Sequence, residues 1–329
     1  MAVAAAEMRR HVGTTAKVLE EVSPKHPELC PDYHSSVART KGYKHLVVCV
    51  HGLAGNQYDL RLIRLQLQQA FPHMDFMMSA SNTVNTHASF DTMATRFVTE
   101  LKEALESHAP ERVSFIGHSL GNLIIRTALA RPDVQALFET SAPQGAADAA
   151  GAAPSAGSKK LPQLVTYVSF AAPHAGAIYL GGVVSTGMWI MSRWKRSASL
   201  SALAWTDHSD PRQTFIYKLS TTTSLELFRN VVLVASPQDK YVNIASALLH
   251  TCPQSAADRK YGTAFDEVVR NILKPLDARE DINVARLYVA TAPGPKSVAS
   301  VIGRAAHIAV LDEELVAQKV GVAIAHYFR

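Results

Sequence analysis

Ser119 stands between two glycines in the pentapeptide Gly117-His118-Ser119-Leu120-Gly121. An apolar, β-forming run at 113–116 precedes the pentapeptide, and a helical pattern at 122–126 follows it directly. A G-x-S-x-G sequence between a strand and a helix is typical of a nucleophile elbow, a sharp turn that exposes the serine at the end of the strand. We therefore predict that Ser119 is a nucleophile beside a helix N-terminus, where free N–H groups favour developing negative charge.

Both glycines have a steric explanation at the sequence level. Side chains two residues on either side of Ser119 would collide across the turn, so we expect Gly117 and Gly121 to be glycine for lack of space. The pentapeptide is short enough to occur by chance. Its interpretation therefore depends on the flanking strand and helix and on partner residues further along the chain.

A serine hydroxyl is a weak nucleophile at neutral pH, so it needs a base, and the base needs an orienting acid. In an open parallel sheet these groups lie past the C-terminal ends of strands, in the order Ser, Asp or Glu, His. Asp239 follows a predicted strand at 231–235, and His307 follows a predicted strand at 285–290 and a loop rich in Pro and Gly. We predict Asp239 as the acid and His307 as the base.

Other residues could take these roles, and their positions favour structural ones. Asp239 itself could be a turn aspartate that only caps a helix. Asp207 and Asp210 follow no convincing strand, and Asp91 precedes Ser119 and is placed as a helix N-cap. His326 lies deep in the last predicted helix, where a surface position is expected.

An oxyanion hole needs two backbone N–H donors. Leu120, directly after the nucleophile, should supply one of them. Leu53 should supply the other, from the loop His51-Gly52-Leu53-Ala54-Gly55 after the first buried strand. Glycines there let the backbone approach a substrate carbonyl; the alternative is a plain glycine turn between strand and helix.

The wall of the predicted pocket has four candidate residues: His51, Gly52, His118 and His174. His174 follows a predicted strand within Ala172-Pro173-His174-Ala175-Gly176. It lines the acyl pocket, or supports the oxyanion loop, or is simply a hydrogen-bonded histidine of a turn. No second histidine or carboxylate lies at ligand spacing nearby, so no metal site is predicted.

The elements that must position these residues alternate along the chain. Apolar runs that predict strands alternate with helical patterns, which indicates an α/β fold whose mostly parallel sheet is flanked by helices. Strands are predicted at 45–50, 74–80, 113–116, 164–170, 231–235 and 285–290. Helices are predicted from Asp59, from an N-cap at Asp91, after the elbow, and at the C-terminal end with an apolar stripe of Leu315, Val316, Val320, Ala323, Ile324 and Tyr327.

The domain organisation predicted from composition is one large domain with additions. Residues 1–43 are polar and irregular and form a lead-in segment that could add an edge strand; residues 44–329 form the domain. Ala, Gly, Ser and Pro dominate 141–160, which predicts a disordered insertion. Residues 177–220 are a predicted lid or cap, because Trp189 and Trp194 beside Arg193, Lys195 and Arg196 suit an interfacial segment. The alternative is helices packed on the core.

Bulk composition narrows the function classes. The chain has 329 residues, 47% of them hydrophobic and 19% charged, so a sizeable core can be buried. A net charge of +5 is too dilute to argue for nucleic acid, although it is compatible with an anionic membrane surface. Three widely spaced cysteines predict no disulfide framework. With no signal-peptide pattern and no apolar run of membrane-spanning length, we expect an intracellular, cytoplasmic protein, either free or peripheral to a membrane.

These motifs together resemble those of the DUF676 serine esterase family, within the α/β-hydrolase superfamily of lipases and esterases. The resemblance runs from about residue 45 to the C-terminus and depends on the 51–55 loop, the elbow, the 172–176 segment, Asp239 and the late His307. It implies the α/β-hydrolase fold and lipid-ester hydrolysis without a cofactor. The stretch at 141–160 departs from the family pattern.

Three functions follow from this set of residues. The first is a serine hydrolase that cleaves small-molecule or lipid esters through an acyl-enzyme, in the manner of a lipase or esterase. The second is an acyltransferase or thioesterase with the same three residues. The third is a non-catalytic lipid-binding module, which the complete set Ser119, Asp239 and His307 disfavours. Acyl chain length, headgroup and oligomeric state are not decided by the sequence.

Overall fold

A computed structural model of the chain describes residues 44–139, 160–179, 197–290, 307 and 311–329, together with the backbone of 17–22. The insertion predicted at 141–160 lies almost entirely outside the described residues. Trp189, Trp194 and the basic cluster at 193–196, which form the interfacial part of the predicted lid, also lie outside them.

One sheet organises the described part of the chain. Its strands are β1 (Lys17–Val22), β2 (His45–Val50), β3 (Asp75–Met78), β4 (Arg112–His118), β5 (Gln163–Phe170), β6 (Asn230–Ala235) and β7 (Asn283–Ala290). They lie in the order β1-β7-β6-β5-β4-β2-β3. Strands β2 to β7 are parallel, and β1 joins the edge antiparallel to β7, with Lys17 opposite Ala290 and Val22 opposite Ala285. The N-terminal segment therefore contributes an edge strand.

Helices cover both faces of the sheet. Their bounds are α1 Arg61–Ala70, α2 Phe90–His108, α3 Leu120–Leu129, α4 Pro132–Gln135, α5 Ala198–Leu203, α6 Phe215–Ser220, α7 Ile244–Leu248, α8 Pro253–Ala257, α9 Gly262–Asp277 and α10 Glu314–Ala325. Short 3₁₀ turns occupy Pro211–Gln213, Leu225–Leu227 and His326–Phe328. None of the described helices combines the length and the apolarity that crossing a membrane requires.

The two-faced core follows from the period of two along each strand. On β2, Leu46, Val48 and Val50 pack into a cluster with α2, α3 and α9. Val47 and Cys49 point the other way, into a second cluster with α1 and α10. A strand buried on both faces is expected to be largely apolar, as β2 is from Leu46 to Val50. The predicted α/β-hydrolase architecture, a mostly parallel sheet between helical layers, is confirmed.

The structure differs from the sequence prediction at two helix ends. Helix α2 is capped by Ser89, whose Oγ accepts a hydrogen bond from the N–H of Thr92, and Asp91 lies in the first turn instead. Ser89 has the extended backbone that an N-cap requires, which makes its hydroxyl available. Leu315, expected in the apolar stripe of α10, is 65% exposed, whereas the next residue, Val316, is 1% exposed, so the buried face of that helix begins at Val316.

The described parts of the predicted lid, 177–179 and 197–220, pack onto the core. Leu200 and Leu203 of α5 and Ile216 and Leu219 of α6 all belong to the first apolar cluster, and Trp205 is completely buried. For this part of the segment the structure matches the alternative that the sequence left open, namely helices packed on the core.

Candidate active site

Strand β4 and helix α3 meet at Ser119. The strand ends at His118 and the helix begins at Leu120, so Ser119 makes the whole turn, with φ 51° and ψ −122°. A positive φ strains any residue with a side chain, and such strain is concentrated at functional sites. The N–H of Ser119 donates to the carbonyl oxygen of Phe170 at 2.8 Å, which ties the strained turn to the end of β5.

The two glycines of the elbow are each required by a neighbour of their own. A Cβ at Gly121 would lie 2.4 Å from the carbonyl oxygen of Val50 and 2.5 Å from that of His51. A Cβ at Gly117 would lie 2.3 Å from Oδ1 of Asn122. The space is therefore already occupied, independently of the mutual collision expected from the sequence.

Asn122 and Tyr167 support the elbow from below, and sequence reasoning did not identify them. Nδ2 of Asn122 lies 3.2 Å from the carbonyl oxygen of Ser119 and 3.4 Å from that of Phe170. The hydroxyl of Tyr167 donates to Oδ1 of Asn122 at 2.8 Å. Both side chains are fully buried. A polar residue on the apolar side of the helix after the motif was the signal available in the sequence.

Asp239 and His307 meet at the C-terminal edge of the sheet. Nδ1 of His307 donates to Oδ2 of Asp239 at 2.7 Å, and the two side chains are 12% and 3% exposed. The other carboxylate oxygen, Oδ1, accepts the N–H groups of Tyr241 and Val242 at 2.8 and 3.1 Å. Asp239 thus combines the turn role and the histidine-orienting position that the sequence presented as alternatives.

The rival residues lie elsewhere in structural positions. Asp207 accepts the N–H of Phe215 at the start of α6, and Asp210 caps the 3₁₀ turn at Pro211–Gln213. Asp91 lies in the first turn of α2, and His326 begins the C-terminal 3₁₀ turn.

The loop after β2 lies directly against the nucleophile. A Cβ at Gly52 would lie 2.9 Å from Nδ1 of His118 and 3.1 Å from Cβ of Ser119, so glycine lets the loop approach the nucleophile without displacing either side chain. The N–H of Ala54 donates to Oγ1 of Thr86 at 2.9 Å, and that of Gly55 donates to the carbonyl oxygen of Gly52 at 3.2 Å. In the part of the chain that the structure describes, no acceptor occupies the N–H of Leu53, and Leu120 is the first residue of α3. These are the positions in which the predicted oxyanion donors would be needed.

The pocket candidates His51 and His118 flank this loop. His51 is buried, with Nδ1 2.9 Å from the carbonyl oxygen of Gly52 and Nε2 3.5 Å from Oγ1 of Thr83. The ring of His118 is buried beside that of His307, with their centroids 4.9 Å apart. Both histidines are therefore held close to Ser119 by the elbow and the 51–55 loop.

His174 belongs to a buried polar network instead. The Arg126 guanidinium lies 3.5 Å from Nδ1 of His174 and can only donate, so Nδ1 is the acceptor and Nε2–H faces Oγ of Ser169 at 2.9 Å. Burial first, and the charge of Arg126 second, hold the pKa of His174 well below its ordinary value. The neutral, fully buried ring matches the alternative of a hydrogen-bonded turn histidine.

Arg126 itself is a buried cation on α3 that the sequence analysis did not identify. It is 1% exposed, and its guanidinium donates to Oγ of Ser224 at 3.3 Å and to the carbonyl oxygen of Leu219 at 3.2 Å. Burial lowers its pKa to about 10, so it remains charged at neutral pH. Within the described residues, no cluster of three His, Cys, Asp or Glu side chains could hold a metal ion.

Comparisons with known proteins identify the family of the chain. Residues 40–254 match the family described as "Putative serine esterase (DUF676)". The chain is 34% identical over 93 residues to the "Putative lipase ROG1" of Saccharomyces cerevisiae, and the aligned stretch covers 26% of this chain and 14% of that protein. The chain therefore matches only a small part of that relative's length.

Two solved structures resemble the chain more distantly. Lipase B of Aspergillus fumigatus has a TM-score of 0.43 and 13% identity, with 89% of this chain and 65% of that chain covered. A lipase-esterase related protein from Clostridium acetobutylicum has a TM-score of 0.43 and 8% identity, with 95% of this chain and 100% of that chain covered. The family match over 40–254 covers more than half of the sequence and includes the elbow, the 51–55 loop and Asp239. The chain therefore belongs to the DUF676 serine esterase family.

Proposed function

We propose that this protein is a serine hydrolase that cleaves carboxylic esters through an acyl-enzyme, with Ser119 as nucleophile, His307 as base and Asp239 as orienting acid. Family membership supports a hydrolase of ester substrates. The single observation that carries the finer proposal is the 2.7 Å hydrogen bond between His307 and Asp239, whose carboxylate is anchored by two backbone N–H groups. That bond fixes the proton on Nδ1 of His307 and leaves Nε2 as the base.

The acylation step follows from these assignments. Oγ of Ser119 attacks the ester carbonyl carbon while Nε2 of His307 takes the hydroxyl proton. The carbonyl oxygen becomes an oxyanion, which the N–H groups of Leu53 and Leu120 hold. When the tetrahedral intermediate collapses, the bond to the alkoxy group breaks, and His307 returns its proton to the leaving alcohol. Asp239 stays ionised throughout and stabilises the imidazolium.

Deacylation repeats the sequence with water. The water oxygen attacks the acyl carbon while His307 takes a proton from the water. His307 then returns the proton to Oγ of Ser119 as the carboxylic acid is released. Loss of one oxyanion donor typically reduces the rate by about 10²- to 10³-fold, so the placement of the 51–55 loop contributes to catalysis as well as the base does.

A fluorophosphonate probe tests the proposal directly, because it reacts with activated serines. We expect the wild-type protein to be labelled and Ser119→Ala not to be. Ser107→Ala, on the exposed side of α2, is the matched control and should label like wild type. Equal labelling of Ser119→Ala and wild type would reject Ser119 as the nucleophile.

The substrate is proposed to be a lipid ester. A panel of acyl esters from short to long chains, run below and above the aggregation point, should show a rate increase on aggregation.

The Trp189 and Trp194 segment is proposed to contribute peripheral membrane binding, so replacing both with Ser should weaken liposome binding. Alcohols or thiols supplied as acceptors that compete with water measure acyl transfer. If the transfer product dominated over the free acid, the proposed activity would be acyl transfer instead of hydrolysis.

A further inference from the structure

His118 makes a contact that the proposed mechanism does not use. Its Nε2 lies 3.3 Å from the backbone carbonyl oxygen of His307. A carbonyl oxygen can only accept, so Nε2 carries the proton and donates it. This bond links the residue before the nucleophile to the main chain of the proposed base, two parts of the site that are far apart in sequence.

The ring of His118 is uncharged in this position. Burial first, and repulsion from His307 second, lower the pKa of His118 to about 3, whereas its hydrogen bond to the His307 backbone acts in the opposite direction. A neutral ring with its proton on Nε2 has only a lone pair on Nδ1, and Nδ1 has no hydrogen-bond partner among the described residues. His118 therefore does not act as a second cation beside the imidazolium that His307 forms.

The ring of His118 is also enclosed on its other side. A Cβ at Gly52 would lie 2.9 Å from Nδ1 of His118, so the 51–55 loop packs directly on the ring. The centroids of the His118 and His307 rings are 4.9 Å apart. His118 thus stands between the loop that carries the proposed oxyanion donor and the residue that carries the proposed base.

We propose that His118 is a positioning residue for His307, donating a hydrogen bond from Nε2 that holds the His307 backbone while Asp239 holds the imidazole. The proposal rests on the proposed function of Ser119 and His307. Asp239 alone fixes one ring nitrogen, around which the imidazole can still swing. A hydrogen bond to the His307 backbone fixes the position of the main chain from which the imidazole extends. It thereby keeps Nε2 of His307 directed at Ser119. Misplacement of a reacting group by about 1 Å can reduce the rate by about 10²-fold.

Two substitutions separate hydrogen bonding from simple space filling. His118→Gln places an amide N–H close to the position of Nε2, whereas His118→Asn places its amide close to Nδ1 and cannot reach the His307 carbonyl. We expect His118→Asn to lower kcat by about 10- to 100-fold with KM little changed, and His118→Gln to stay within about threefold of wild type. His118→Phe, which keeps a ring without a donor, should behave like His118→Asn and replaces it if that variant does not fold.

The matched control is His45→Gln. His45 is another buried histidine, hydrogen-bonded through Nε2 to Oγ of Ser114, but it lies at the start of β2, at the end of the sheet away from the site. Its substitution should leave kcat unchanged at about pH 8, where buried histidines are neutral in both folded and unfolded chains.

Wild-type kcat in folded His118→Asn or His118→Phe would overturn the positioning role, as would equal loss in His118→Gln and His118→Asn. Full turnover in Ser119→Ala, measured alongside, would instead overturn the proposed function itself. A large kcat loss in His118→Asn, with recovery in His118→Gln, would support the proposal.

Discussion

The His307 imidazole and the Asp239 carboxylate meet at 2.7 Å across 68 residues of sequence. The carboxylate is oriented by its own turn, because the N–H groups of Tyr241 and Val242 occupy Oδ1 and leave Oδ2 for the histidine. The turn therefore leaves only Oδ2 to accept a hydrogen bond from His307. This places the proton of the neutral imidazole on Nδ1.

Asp239→Asn should therefore abolish most activity without unfolding the protein. The amide oxygen of Asn can still accept the two backbone N–H groups, which turns the NH₂ group toward Nδ1 of His307. Nδ1 must then be unprotonated, the proton moves to Nε2, and the ring can no longer take the proton of Ser119. We expect kcat to fall on the order of 10³- to 10⁴-fold, measured by steady-state hydrolysis.

Asp210→Asn is the matched control for that substitution, because Asp210 caps an exposed 3₁₀ turn away from the site. Wild-type kcat in Asp239→Asn would show that Asp239 does not set the protonation of the base.

Gly121→Ala should be more damaging to stability than Gly117→Ala. The new methyl at 121 would meet two backbone carbonyl oxygens at 2.4 and 2.5 Å, which cannot move without shifting β2. At 117 it would meet the end of the Asn122 side chain, 2.3 Å away, which can turn aside only by giving up its hydrogen bonds. Overpacking of this kind costs about 1–3 kcal/mol of the free energy of unfolding, with Gly121→Ala at the upper end.

Urea denaturation of both glycine variants checks this order. A smaller loss of stability for Gly121→Ala than for Gly117→Ala would contradict it. Gly117→Ala should still lose activity, since a rotated Asn122 releases the carbonyl oxygen of Ser119.

Tyr167→Phe should destabilise the protein by about 1–2 kcal/mol, because it leaves the buried Oδ1 of Asn122 without the hydroxyl that donates to it. The ring remains and still fills its space, so the effect isolates one hydrogen bond. Thermal unfolding gives the change in stability, and a denaturation midpoint equal to that of wild type would show that this bond contributes nothing.

Acid should destabilise the folded chain through its buried histidines. Burial, with a smaller contribution from the charge of Arg112, lowers the pKa of His45 from about 6.5 to about 4. Between these values the unfolded chain binds a proton that the native chain does not, so the free energy of unfolding falls as pH falls. Each such group contributes a slope of up to about 1.4 kcal/mol per pH unit. His118 and His174, whose pKa values are also lowered, act in the same direction.

His45→Gln should reduce that slope, because Gln keeps a donor for Ser114 and has no proton to gain. Urea denaturation at about pH 7 and about pH 5 measures it. The same loss of stability on acidification in His45→Gln and wild type would mean that His45 does not contribute.

The fold could be predicted from the sequence because its signals are local. The largely apolar runs at 45–50, 231–235 and 285–290 lie within observed strands, since strands buried on both faces are apolar at most positions. The elbow could also be predicted, because its strand, glycines and serine are contiguous in the sequence. The boundary errors were those of capping: Ser89 and Asp91 are both good N-caps, and only the backbone at residue 89 decides between them.

The supporting residues could not be predicted because their partners are distant in sequence. Asn122 and Tyr167 are ordinary residues until β5 lies beside β4, and Arg126 is a helical arginine until α6 covers it. His118 occupies one of the two positions that the G-x-S-x-G pattern leaves unspecified, and its contact needs His307 to be placed first. The roles assigned to Ser119, Asp239 and His307 stay predictions until the substitutions above are measured.

Strand β1 gives the folding unit a boundary different from that of the family match, which begins at residue 40. A shortened protein that starts near residue 40 would retain the elbow, Asp239 and His307, yet its β7 would lose the strand that pairs with it and would present bare main-chain amides and carbonyls. An unpaired strand edge of that kind pairs with strands of other chains. Recombinant versions that begin near residue 40 and keep the rest of the chain should therefore self-associate, while versions that also keep residues 17–22 should not.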